Sequence, residues 1–147
     1  MSAYSHIVVA IDFSKSADQV LSKACIIAER DKARLSLLHV VEYMPPIDFT
    51  NEPLLVNNWL VDEEVLMEQA KTFLQDLSKK HHLKNTGLEV RVGTPKHEIS
   101  TFVKDQQCDL VIMGSHGRHG ISLLLGSTAN AVLHAMPCDI LTIKTEE

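Results

Sequence analysis

The stretch Asp109-Leu110-Val111-Ile112-Met113-Gly114-Ser115-His116-Gly117-Arg118-His119-Gly120 passes from an unbroken apolar run into a glycine-rich loop. A strand that is apolar at every position is covered on both faces, as in the middle of a parallel sheet. A loop opening with glycine lets the backbone take unusual dihedrals or approach another group closely. Four of the six glycines lie between Gly114 and Gly126. After them, Ser127 and Thr128 open a helix over 127–136, which Pro137 ends. Strand, glycine loop and helix N-terminus follow in that order. This is the arrangement in which unpaired N–H groups and the positive end of a helix dipole receive an anion.

Working outward, strand and helix signals alternate along the whole chain. His6-Ile7-Val8-Val9-Ala10-Ile11 is a second unbroken apolar run, stopping at Asp12. Ser16-Ala17-Asp18-Gln19 has capping-box form, and Val20, Leu21, Ala24, Ile27 and Ala28 recur at helical spacing. Residues 34–41 (RLSLLHVV) predict the next strand, and Leu66, Ala70, Phe73, Leu74 and Leu77 a helix over 60–82. Leu88-Glu89-Val90-Arg91-Val92 alternates; Thr94 and Pro95 are a good N-cap and first helical residue for a helix through Ile99, Phe102 and Val103. Ile140-Leu141-Thr142-Ile143 is the last strand.

Five strands joined by helical crossovers predict an α/β fold with a mainly parallel sheet and helices on both faces. The continuous runs, first and fourth, belong in the centre. The third strand, carrying Glu89 and Arg91, and the fifth, carrying Thr142 and ending at Lys144, belong at the edges. The order is then 3-2-1-4-5. The chain reverses direction across the sheet between strands one and four, so a ligand crevice is expected at their carboxyl ends. The irregular stretch 42–59 leaves strand two beside that crevice. It reads either as a lid or as a variable surface loop or dimer contact.

Composition narrows the function. The 147 residues suit a single domain over 1–147, with 45% hydrophobic and 22% charged residues. A net charge of −5 argues against general nucleic-acid binding, which needs a basic footprint. No leader sequence and no apolar run long enough to span a bilayer is read, so no membrane span and a cytoplasmic location are expected. Cys25, Cys108 and Cys138 are too few and too irregularly spaced for a disulfide framework or zinc site, and read as small buried apolar side chains. Lys79-Lys80-His81-His82 reads as a solvated helix end.

The glycine loop is not a P-loop, since no Gly-Lys-Ser/Thr triplet is present. Nor is it a dinucleotide fingerprint, since Ala10-Ile11-Asp12-Phe13-Ser14 after the first strand holds no glycine. What remains is Gly114-x-x-Gly117, eight residues, then Gly126-Ser127. This resembles the nucleotide-binding motif of the universal stress protein family: Gly-x-x-Gly, commonly nine residues, then Gly-Ser/Thr. The resemblance extends over the chain, through Asp12 after the first strand, Leu37-Leu38-His39-Val40, Gly93-x-Pro95 and Pro137-Cys138-Asp139-Ile140-Leu141. The spacer here is one residue shorter than the family's common length.

The resemblance implies a Rossmann-like fold of the adenine nucleotide alpha hydrolase type, and ATP, ADP or AMP as ligand, with any Mg²⁺ carried on the phosphates. It implies Ala10, Ile11 and Asp12 at the adenosine, the Asp12 carboxylate accepting from ribose hydroxyls, and Val40 and Met113 near the adenine. Gly114, Gly117, Gly126, Ser127 and Thr128 would line the phosphate path, with Ser115, His116 and Arg118 in the intervening loop. It also implies a homodimer through Ile140-Leu141-Thr142-Ile143. Plainer readings stand beside these: glycines that only make a turn, an Asp12 that only caps the first helix, and a His39 that is a satisfied core histidine. His116 and His119 lack the local carboxylate or cysteine of a metal site. No catalytic constellation is read. A nucleotide-dependent stress-response module is expected, with a nucleotide-independent dimeric interaction protein or a slow ATPase as alternatives, and the client protein unspecified.

Overall fold

A computed structural model describes residues 3–42, 53–115 and 136–145, the side chains of 53–62 excepted. The elements are β1 (His6–Ala10), α1 (Ala17–Asp31), β2 (Arg34–Glu42), α2 (Pro53–Lys80), β3 (Gly87–Gly93), α3 (Pro95–Gln106), β4 (Leu110–Gly114) and β5 (Asp139–Ile143). The strands pair in the order β3-β2-β1-β4-β5, every pairing parallel. This is the expected order, with β1 and β4 buried along their whole length in the centre.

Successive side chains of a strand point to opposite faces. In β1, Ile7 and Val9 join Val20, Leu21 and Ala24 of α1 and Leu74 and Leu77 of α2 in one apolar cluster. Val8 and Ala10 join Ile99, Phe102 and Val103 of α3 in a second cluster, on the other face. The helical spacing of those residues is therefore the spacing of the core-facing stripes. Arg91, on edge strand β3, lies over the Phe102 ring at 5.1 Å, its charge spread over the aromatic face.

Several local expectations are corrected. Helix α2 begins at Pro53, not at residue 60, so part of the stretch read as irregular is helical. Proline suits the first helical turn, where its missing N–H has no partner to lose. The capping box at Ser16 does not form: Ser16 makes no side-chain cap, and its hydroxyl lies 2.7 Å from that of Ser14. Gln19 reaches away to the Lys144 carbonyl instead, 3.3 Å. Thr94 precedes α3 in extended geometry, also without a side-chain cap. Of the cysteines only Cys108 is buried; Cys25 and Cys138 are partly exposed. The helix expected over 127–136 lies outside the described residues except for Met136, which packs into the α3-side cluster.

Candidate functional site

The carboxyl ends of β1 and β4 lie side by side in the centre of the sheet, where the chain reverses direction. Ala10, Ile11, Asp12 and Gly114 line one narrow cleft there, with Ser16, Ala17 and Val20 of the α1 end on its other side. Ala10, Val40 and Met113 belong to one apolar cluster on the α3 face, but of the three only Ala10 lines the cleft. Val40 is 1% exposed and Met113 fully buried.

Asp12 is a buried carboxylate in the cleft. Its Oδ1 accepts the Ser14 N–H at 2.9 Å and, closer still, the Ser14 hydroxyl. This is a turn closed by an aspartate on the backbone two residues on. The carboxylate therefore caps the β1–α1 turn rather than the helix itself. Just upstream, the Ile11 N–H donates to the Leu38 carbonyl at 2.8 Å, carrying the β1–β2 ladder one step past Ala10.

Sequence comparison places this geometry among known proteins. The sequence pattern of the universal stress protein family matches residues 3–144. The chain belongs to the universal stress protein family. Universal stress protein A homolog 2 of Coxiella burnetii is 36% identical over 145 residues, covering 98% of this chain and 97% of that protein. Universal stress protein A homolog 1 of the same organism is 32% identical over 147 residues, covering 98% and 99%. Two solved structures share the fold at lower identity. A universal stress protein in complex with cAMP has TM-score 0.61 and 22% identity, covering 97% of this chain and 98% of its own. A universal stress protein family protein from Arabidopsis thaliana with AMP bound has TM-score 0.61 and 17% identity, covering 97% and 92%.

In this universal stress protein chain, Ser115 is already engaged. Its N–H donates to the Ile143 carbonyl at 2.9 Å, and its hydroxyl accepts the Thr145 N–H at 3.0 Å. The start of the glycine loop is thus fastened to the end of β5. His116, Gly117, Arg118, Gly126, Ser127 and Thr128 lie outside the described residues. Sequence reading missed Ser14 and Thr145; Asp-x-Ser after a strand was the available signal for the first. The sequence reads His39 only as a core histidine. It is 4% exposed, and its Nδ1 lies 2.7 Å from the Ile11 carbonyl. Among the described residues no helix could cross a membrane, and no group of three or more His, Cys, Asp or Glu could hold a metal.

A wider cavity of about 600 Å³ lies elsewhere, lined by Cys25, Lys32, Arg34, His82 and Lys84 among others. Its cations cluster where α1 and α2 end, which is where helix dipoles favour them, so they are explained without a ligand. Beside it, His6 is buried with Nε2 2.8 Å from the Ser36 hydroxyl. Its Nδ1 lies 3.0 Å from the Gln106 carbonyl and 2.9 Å from Arg34 Nη2. It can only donate to the first and only accept from the second, so the two contacts alternate with the tautomer. Burial, opposed by the Gln106 carbonyl and aided by the Arg34 guanidinium, holds the His6 pKa below its ordinary value.

Proposed function

We propose that this family member binds an adenine nucleotide in the β1–β4 crevice and works as a nucleotide-dependent regulatory module in the cytoplasm. The observation that carries the reading is that Ala10, Ile11, Asp12 and Gly114 come together at the point where strand order reverses. The residues fit the ligand in kind. The buried Asp12 carboxylate is an acceptor suited to ribose hydroxyls, and Ala10, backed by the buried Val40 and Met113, is the apolar surface offered to the base. Gly114 leads into the glycine motif, where Gly117, Gly126, Ser127 and Thr128 would take the phosphates of ATP, ADP or AMP, with any Mg²⁺ carried on them. The cAMP and AMP complexes of two fold relatives support an adenine ligand for the same fold.

The decisive experiment is calorimetric titration of ATP, ADP and AMP into nucleotide-stripped protein, with and without Mg²⁺. Micromolar ATP binding, abolished by Gly126→Val, is expected. No binding at millimolar ligand would show that the short spacer has closed the site. β5 lies at the sheet's edge with Ile140, Leu141 and Thr142 only partly buried, which favours pairing with a two-fold copy of the chain. A homodimer is therefore expected in sedimentation at micromolar concentration, and a monomer would remove it. If the dimer forms and nucleotide does not bind, the chain acts through its dimer surface alone.

A further inference from the structure

We propose that His39 is the positioning residue that holds Asp12 toward the ribose; this rests on the adenine-nucleotide reading of the crevice. The His39 ring anchors the residues on both sides of Asp12. A carbonyl oxygen only accepts, so at 2.7 Å from the Ile11 oxygen the His39 Nδ1 carries its proton and donates. The Ile11 carbonyl belongs to the peptide plane joining Ile11 to Asp12. Fixing that oxygen fixes the plane and with it the Asp12 N–H and Cα. On the other side, the Phe13 ring stacks on the imidazole at 4.3 Å between centroids and 22° between planes. Phe73 of α2 meets Phe13 edge-on at 4.8 Å, backing the stack.

Asp12 thus sits between two contacts made by one buried side chain of the neighbouring strand, while Ser14 holds its Oδ1 from below. A carboxylate that must meet two ribose hydroxyls gains from being set before the ligand arrives, because ordering is then not charged against binding. Phe13, 44% exposed, is kept beside the cleft by this stack rather than by burial. His39 touches no ligand in this scheme; it acts through Asp12.

The test uses His39→Leu, which removes the donor, and His39→Asn, whose side-chain amide can donate close to where Nδ1 did. Affinities are measured for ATP and for its 2′,3′-dideoxy analogue. The wild type is expected to prefer ATP. His39→Leu should lose about tenfold in ATP affinity, the scale of one charge-assisted contact, with the dideoxy analogue nearly unchanged. His39→Asn should keep most of the preference. Nitrogen NMR of the wild-type ring should show the proton on Nδ1. A folded His39→Leu that keeps the full preference for ribose overturns the assignment, as does a ring protonated on Nε2 alone. A wild type that binds no adenine nucleotide overturns the ligand reading instead. Should His39→Leu fail to fold, His39→Asn and the ring spectrum decide.

Discussion

Ser14 donates both its backbone N–H and its hydroxyl to the same oxygen of Asp12, Oδ1. The hydroxyl also meets that of Ser16, so one short side chain ties the turn to the first turn of α1. Removing it leaves the backbone bond but strips a charge-assisted one from a buried carboxylate. Ser14→Ala should cost about 1.5 kcal/mol of unfolding free energy, read as a lower urea midpoint at unchanged slope. It should also weaken ATP binding, since Asp12 gains freedom. Wild-type stability in Ser14→Ala would show that the turn does not depend on this bond.

His6 makes the fold acid-sensitive in a defined direction. Its folded pKa lies below the ordinary value, so between the two the unfolded chain binds the proton and the folded chain does not. This contribution to stability is intact above the unfolded pKa of about 6.5 and is lost as pH falls below it, levelling off beneath the folded value. Urea midpoints should therefore drop as pH falls below about 6.5, and His6→Gln should flatten that drop relative to wild type. An identical pH slope in the variant would assign the acid sensitivity to other groups.

Gly93 ends β3 at φ +149°, and a Cβ there would lie 3.0 Å from Glu98 Cγ. Few side chains tolerate that backbone, and the carboxyl carbon and one carboxylate oxygen of Glu98 would lie at 3.2 Å as well, so the whole outer part of the glutamate chain would have to move. Gly93→Ala should destabilise by about 1–3 kcal/mol and lower the melting temperature. An unchanged melting temperature would mean that the turn into α3 rearranges at no cost.

Burial pushes the Cys108 thiol up to about 12 and the Cys138 thiol to about 11. At pH near 8 only about one Cys108 in ten thousand is thiolate, and the thiolate is the reactive form. Both should react with Ellman's reagent far more slowly in the native protein than in urea. Rapid native labelling of Cys108 would show that the α3-side cluster opens readily.

The strand order was legible because burial on both faces leaves no room for polar residues in β1 or β4. Glu89, Arg91 and Thr142 marked the strands with a free edge. The start of α2 was not legible: Pro53, after two earlier prolines, reads as loop, although it serves equally as a first helical residue. The capping box failed for a reason local pattern does not contain. Ser16 found Ser14 across a turn that Asp12 closes. At the site, Asp12 and Gly114 announced themselves as a carboxylate and a glycine ending two central strands. The part played by His39 depends on which carbonyl lies opposite its ring, and only strand register reveals that.

At the other end of the sheet the residues leading into β1 are buckled down by carboxylates. The Tyr4 N–H donates to Asp31 and its hydroxyl to Asp139, while Ser5 and His6 give their N–H groups to the two oxygens of Asp109 at 2.8 and 3.0 Å. Asp109 stands just before β4, so this buckle sets the height of β1 against β4 at one end, and rigid strands carry that height to the other. It is a ruler. Asp12 lies six residues from His6, a span of about 20 Å at strand rise, and owes its level above Gly114 to a carboxylate it never meets. Misalignment in the crevice can therefore be written from the far edge of the molecule, by changes that touch neither the cleft nor anything in it.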